Sequence, residues 1–490
     1  MYKDFYIYKQ SGTYAETLEA FGVANLVNEV LTRLDISGRK IMIEDKELYY
    51  LVSSNKEVTK ERLEQLSYFQ IVKFLINKSH TSIPDGILHS DCFDYPAQKA
   101  EQDRYKEEFQ KIKKNKDLSG EQKGEARKKL KGEKISEFGS KIDVEYNVYR
   151  ELIKNPYSSY TKLYNNFYEN QNHFPDLIKE IFDYYAQLPV DNREFELIDK
   201  NPTAQQLFNP NQGKGLNKSK ANNASMGNLK SSWMAETMKI SGALRMMSVQ
   251  YIKVGSSYDL KVYVPEFKNI QLSRGVKLLT EFKRYLKSAS PVKLDILNIL
   301  NLIIHFIRLT DVYQKGKVKD TIQGFHSAYQ KDLGQNKAVA NIAFINTPDF
   351  VAYTTKEEGR KWIKTLEEQR NIISNIEERG DSIQGLLDYR NFLGGNGANA
   401  LTYFSRFSYW YAAYLMQALD KERYFVRPFK TETLTIFYEN MDTPELDLSG
   451  IIENEGFQAV AKAIRKSTVS LQYTPKKNRK FEIRYGLAQH

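Results

Sequence analysis

The chain has 490 residues, too many for one core, and its 41% hydrophobic and 13% aromatic content suits two or three globular domains and excludes a disordered chain. Seventy-two basic against 61 acidic residues leave a net charge of +11, which points towards a polyanion, nucleic acid being the commonest. Cys92 is the sole cysteine, so no intrachain disulfide forms and a reducing compartment is expected.

The N-terminus, Met1-Tyr2-Lys3-Asp4-Phe5, carries an acid within five residues and lacks the apolar run of a signal peptide. Residues 14–34 place Leu18, Phe21, Leu26, Val30 and Leu34 at near-helical spacing, which predicts an amphipathic helix. Two strand-like runs, 40–44 and 48–53, flank Asp45-Lys46-Glu47 and predict a hairpin. A further apolar-periodic helix is expected over 61–77. Residues 101–134 are charge-dense, with ten basic and four acidic side chains between 111 and 134. They predict a projecting helical hairpin turned at Leu118-Ser119-Gly120, suited to gripping nucleic acid or to plain solvation.

Residues 143–188 are rich in tyrosine at four-residue recurrence, which predicts helices whose rings mostly pack against neighbours. Residues 201–235 then contain no acidic residue at all. Lysine there supplies mobile positive charge, asparagine and glutamine supply donors and acceptors, and glycine permits close backbone approach. That mixture suits phosphates and base edges together; it also suits a solvated loop. A helix is expected over 229–249, and strands at 249–254 and 258–264 form a second hairpin across Gly255-Ser256-Ser257. From 273 to about 427 the pattern is helical, with a strand-like run at 433–438 and a final basic helix starting near Gly456. The most apolar run, 296–307, is interrupted by Asn298, Asn301 and His305 and is too short to cross a bilayer.

Catalytic and metal-binding patterns are weak. His80, His89, Asp91 and Cys92 fall within 13 residues, but without CxxC or HxxxH spacing a polar loop accounts for them better than a zinc site or a metal-dependent nuclease. His305 suits a hydrogen-bonded core histidine better than a catalyst. Gly213-Lys214-Gly215 lacks the remaining residues of a nucleotide-binding loop, and 395–400 (GNGANA) matches GxGxxA but follows a helix, not a strand. Neither catalysis nor a metal or cofactor is expected. The positive signals suit binding: Lys214, Lys218, Lys220 and Lys230 for phosphates, Asn217, Asn222 and Asn223 for base edges. Lys462, Arg465, Lys466 and Arg484 give a second basic surface near the C-terminus.

Three stretches resemble the large subunit of type I CRISPR surveillance complexes (Cascade), of the I-A/I-B kind. They are 12–24 (GTYAETLEAFGVA), 209–221 followed by 233–242 (WMAETMKISG), and 457–468 (FQAVAKAIRKST) with 482–489 (EIRYGLAQ). The resemblance implies a non-catalytic, cytoplasmic subunit that touches the 5′ end of the guide RNA, recognises the protospacer-adjacent motif of double-stranded DNA and stabilises the R-loop. Its implied partners are the backbone, handle-binding and small subunits, and a recruited nuclease–helicase or transposition adaptor, with no membrane. The family's helices continue beyond the Arg-Tyr-Gly-Leu-Ala-Gln element, whereas this chain stops at His490; truncation, or a separate small subunit, is expected to account for them. The resemblance carries no role onto the insertion at 101–134.

The expected architecture is α+β: a mixed domain over 1–272 with short antiparallel hairpins, the charged insertion and the Lys/Asn loop at 201–232, followed by a mainly helical bundle over 273–490. Motif and duplex contacts are expected at Asn209, Gln212, Lys214, Asn217, Lys218, Lys220 and Asn222, and DNA-backbone contacts at Lys462, Arg465, Lys466 and Arg484. The alternative is a stand-alone RNA-binding or scaffold protein whose tyrosines stack on bases.

Overall fold

The computed structural model describes residues 1–490 apart from 79–80, 138–143, 155–156, 190–194, 212–228, 285, 287–288, 310–315, 335–336, 396, 442–447 and 479–490. Two units emerge, one of residues 1–288 with 321–344 and one of 289–320 with 345–490. The fold is α+β, with antiparallel sheets in the first unit and helices dominating the second.

The first unit opens with β1 (Tyr2–Tyr8), α1 (Ala15–Arg33), β2 (Ile41–Asp45) and β3 (Tyr49–Val58). Alternation buries Ile41 and Ile43 on β2, and Tyr50, Val52 and Ser54 on β3, the period-two pattern of a half-covered sheet. The predicted hairpin forms, with Glu47 at φ +66° in its turn and its N–H donating to the Asp45 carboxylate at 2.9 Å. After one helical turn, α2 (Lys60–Leu63), the expected helix over 61–77 gives way to irregular chain and β4 (Phe74–Ile76), which pairs in parallel with β5 (Cys92–Asp94). The buried residues Leu63, Leu66, Phe69, Val72 and Leu75 recur every three positions. At 3.6 residues per turn such a stripe would walk around a helix instead of holding one face.

The charged insertion is the predicted hairpin, α3 (Tyr95–Lys114) and α4 (Gly120–Glu137). Helices α5 (Tyr146–Lys154), α6 (Tyr157–Tyr168) and α7 (Phe174–Tyr185) bury Tyr146, Tyr149, Tyr160, Tyr164 and Tyr185, so these rings are core, not stacking platforms. Then come α8 (Trp233–Met246), β6 (Ser248–Val254), β7 (Ser257–Phe267), β8 (Asn269–Gln271) and α9 (Leu272–Arg284). The β6–β7 hairpin turns through Gly255 at φ +60°, a position that favours glycine. The chain leaves for α10 (Pro291–Leu309) and β9 (Gly316–Lys317) of the second unit, then returns as β10 (Ile322–Asp332) and runs on in β11 (Lys337–Asn346). The two sheets have orders β1-β3-β2-β8 and β11-β10-β7-β6. Strands β10 and β11 replace expected helix. A register shift between Ile322 and Gly324 leaves Ile322, Phe325 and Ala328 buried at intervals of three, which hides the alternation of a strand.

Helices α1 and α8 cross backbone to backbone. A Cβ on Gly22 would lie 1.9 Å from the Met238 carbonyl oxygen, and one on Gly242 would lie 1.8 Å from that of Leu18. Only glycine fits either place.

In the second unit β12 (Ala352–Tyr353) pairs with β9, and α11 (Lys356–Asn375) starts at a capping box of Thr355 and Glu358. Helices α12 (Ser382–Gly394), α13 (Gly397–Asp420), α14 (Thr431–Asn440), α15 (Leu448–Glu453), α16 (Glu455–Ser467) and α17 (Val469–Gln472) follow. The strand-like run at 433–438 is therefore helix. Thr433 and Phe437 are its buried residues, four apart, and Phe437 packs on Phe350, Trp362, Phe392 and Phe404. Tertiary packing overrides the β-propensity of Thr, Ile, Phe and Tyr. His305 on α10 is buried, and burial, then Arg308 and Arg370, push its pKa down to about 4. Among the described residues no helix is long and apolar enough to cross a membrane.

Two outcomes follow from this packing. Gly22→Ala should lower stability by about 3 kcal/mol or more through backbone overlap, whereas Gly124→Ala on α4, where an added Cβ meets open space, should raise it by about 0.5–1 kcal/mol; urea denaturation of both variants measures the contrast. His305 is neutral in the fold below its unfolded pKa, so stability it supports above about pH 6.5 is lost as pH falls towards 4. His305→Gln should flatten the decline of the urea midpoint between those pH values.

Candidate nucleic-acid interface

The acid-free segment enters and leaves on one hydrogen-bonded frame. Thr203 and Lys230 form an antiparallel bridge, Ala204 N–H donates to Leu229 O at 2.9 Å, and Ser231 N–H donates to Pro202 O at 2.9 Å. These bonds zip the two stems together. The Tyr14 hydroxyl on the α1 side donates to Leu207 O at 3.0 Å, and Asn211 Nδ2 donates to Ser11 O at 2.8 Å. Ser11 in turn belongs to a tight turn whose N–H (2.9 Å) and hydroxyl (2.5 Å) both donate to the Glu16 carboxylate.

The centre of this frame is Asn209, 1% exposed. Its Nδ2 donates to Glu236 Oε1 at 3.0 Å and its Oδ1 accepts from Lys239 Nζ at 2.9 Å. Lys239 also pairs with Glu236 at 3.2 Å and, more loosely, with Glu19 of α1 at 3.9 Å, while the Tyr185 hydroxyl donates to Glu19 at 2.7 Å. Burial alone would push the Lys239 pKa down; the charges of Glu236 and Glu19 outweigh it and hold the ammonium above its ordinary value. Burial pushes the Glu19 carboxyl up, and Lys239 and Tyr185 offset that only in part.

Asn209, expected at the DNA interface, is engaged within the protein in this structure. Both ends of its amide are consumed by buried charges, and it fixes the stem of the segment instead. Gln212, Lys214, Asn217, Lys218, Lys220 and Asn222 lie outside the described residues, as does Arg484. Lys462, Arg465 and Lys466 are exposed on one side of α16, at helical spacing of three and four. The opposite side carries Phe457, Val460 and Ile464, exposed by 48%, 61% and 58%. Sequence reasoning missed Glu19, Glu236 and Lys239. The available signal was Glu236 and Lys239 three apart in the mostly apolar run from Trp233 to Leu244, where buried charges need each other as partners.

Two further buried carboxylates invite a catalytic reading and are better explained as ties. Glu266 of β7 accepts from Lys9 Nζ (3.1 Å) and the Tyr50 hydroxyl (3.1 Å) and faces His326 Nε2 at 2.5 Å. Burial would raise its pKa, but His326 and then Lys9 hold it well below the usual carboxylate range. The three donors come from both sheets, so Glu266 fastens one sheet to the other. Glu151 of α5 is bound by Lys337 and by the Tyr251 hydroxyl. Of the candidate zinc ligands, His80 lies outside the described residues, and Cys92 is buried with its thiol donating to Leu88 O at 3.4 Å. Among the described residues no three His, Cys, Asp or Glu side chains group to hold a metal ion.

No family model and no curated protein matches the sequence.

Lys239→Met should cost about 3–5 kcal/mol, because Glu236 loses its cation while buried. Asn209→Ala should cost less, about 1.5–3 kcal/mol, the worth of hydrogen bonds to charged groups. Chemical denaturation checks the order. A base-reading Asn209 would instead lose sequence preference in DNA binding at unchanged stability.

Proposed function

We propose that this chain is the non-catalytic large subunit of an RNA-guided type I effector complex. In this reading it recognises the short motif flanking a double-stranded DNA target, contacts the 5′ end of the guide RNA, stabilises the opened duplex and recruits downstream machinery, a nuclease–helicase or a transposition adaptor. Guide pairing reads the target, and the protein reads motif and shape, a division of labour general to RNA-guided effectors.

The observation that carries the reading is the anchoring of the acid-free segment. Its stems are bonded to each other and to α1 and α8 through Asn209, Asn211 and Leu207. A mere linker needs no such frame; a binding element that must meet phosphates and base edges in fixed register does. The three sequence stretches with the resemblance divide in two. Residues 12–24 and 233–242 build the frame, and 457–468 forms α16 with its exposed basic face. Lys214, Lys218 and Lys220 are assigned to phosphates, Gln212, Asn217 and Asn222 to base edges, and Lys462, Arg465, Lys466 and Arg484 to the DNA backbone. Cytoplasmic location and the other subunits of such a complex follow as part of the same proposal.

Affinity purification from the native host tests it. The expected result is several other subunits and one uniform short RNA with a repeat-derived end; the protein alone, or with heterogeneous RNA, would overturn it. Within the purified complex, Lys214→Ala should weaken binding to every duplex and reduce the slope of log affinity against log salt by about one, read by titration at several salt concentrations.

A further inference from the structure

The α3–α4 hairpin divides its charge by position. The basal half of α3 is self-neutralised: Arg104 pairs with Glu101 (3.0 Å) and Glu108 (2.8 Å), and Lys106 with Asp103 (3.0 Å). From Lys111 to Lys129 the chain carries eight basic and three acidic side chains. Among the described residues Lys111, Lys113, Lys114, Lys116, Lys123, Lys128 and Lys129 pair with no carboxylate. Local helix energetics account for part of this, since Lys111, Lys113 and Lys114 occupy the last turn of α3, where cations offset the macrodipole. They do not account for Lys123, in the first turn of α4 where a cation is disfavoured, nor for Arg127, Lys128 and Lys129 beyond it.

The hairpin is also anchored at its base and capped at its tip. Asp94 caps α3, accepting from Ala97 N–H at 2.9 Å, and the base is gripped by Tyr95 stacked on Tyr146 and Phe93 on Tyr149. The tip closes on a reciprocal cap, with Ser119 Oγ accepting from Gln122 N–H at 3.2 Å and Gln122 Oε1 accepting from Ser119 N–H at 2.9 Å. No residue of α3 is fully buried, and Lys111, Lys113 and Lys114 at its distal end are exposed; its 20 residues make a helix about 30 Å long. No large apolar side chain is exposed anywhere between Tyr95 and Leu130. Protein interfaces and membrane-inserting helices need apolar anchors; a phosphate backbone needs only cations.

We propose that the distal half of the α3–α4 hairpin is a cationic prong that grips the backbone of double-stranded nucleic acid, a contact separate from the segment at 212–228. It extends the nucleic-acid reading given above and rests on it. The test compares the full chain, in its native complex, with a variant carrying Lys111→Gln, Lys113→Gln, Lys114→Gln and Lys116→Gln, on a fluorescent 30-base-pair duplex across 50–200 mM salt. All four side chains are exposed, and circular dichroism verifies an intact fold. The salt slope should fall by about three and affinity at the low-salt end by about tenfold or more. An unchanged slope and affinity, with wild type still binding, would overturn the prong and leave the broader reading standing; wild type that binds no duplex would overturn both. A photocrosslinking p-benzoylphenylalanine in place of Asn115 separates partner classes. A nuclease-sensitive adduct is expected, and a nuclease-resistant adduct to an acidic protein would overturn the assignment.

Discussion

Backbone contact between α1 and α8 is the constraint on which the first unit depends. Gly22 and Gly242 let the two helices approach until each faces the other's carbonyls, leaving no room for even a methyl group. So close a crossing forces the long polar side chains along its seam to face one another. Glu19 comes from one helix and Glu236 and Lys239 from the other. Two carboxylates and one ammonium do not balance, and the shortfall is met by neutral donors: the Asn209 amide for Glu236 and the Tyr185 hydroxyl for Glu19. Buried ionic sets of this kind contribute little net stability compared with apolar packing. What this one does is specify where the chain at Asn209 must sit, and hence where the following segment begins.

The same helix α1 also joins the two sheets. Its Thr17 hydroxyl is 2.9 Å from that of Tyr50 on β3, and Phe21 packs against Phe267 at the end of β7 with ring centroids 6.0 Å apart. Tyr50 passes the connection on to Glu266, which gathers Lys9 and His326 from opposite sheets. A chain of packed and hydrogen-bonded groups therefore runs from the cross-sheet tie at Glu266 through α1 to the anchor at Asn209.

What could be read from sequence follows the range of the interactions involved. Helix α1, the β2–β3 and β6–β7 hairpins and the turn at Ser119 were legible because their signals are local: near-helical apolar spacing, short polar or glycine-serine breaks between strand-like runs, and Leu118-Ser119-Gly120 breaking a charge-dense stretch. The regions 61–77, 322–332 and 433–438 were misread because their apolar spacing of three, or their β-branched composition, is ambiguous until the opposing surface is known. The role of Asn209 was illegible for a stricter reason. It sits in a run of asparagine, glutamine and lysine, and nothing nearby distinguishes it from Asn217 or Asn222. Its partners lie 27 and 30 positions away, on a helix whose own charges look like an amphipathic accident until the glycine crossing is seen.

The treatment of carboxylates gives the exterior its character. Several acids of the first unit are turned inward, and some are satisfied by neutral donors: Glu16 by the Ser11 amide and hydroxyl, Asp259 by the Asp332 amide and the Tyr329 hydroxyl. Neutral amide and hydroxyl donors supply these contacts. Acids are absent from 201–235 and are outnumbered eight to three from Lys111 to Lys129. A protein that merely needed solubility would intersperse the signs. Separation of the signs, as along 111–129, leaves a cationic surface of the kind that the proposed polyanion contact would use.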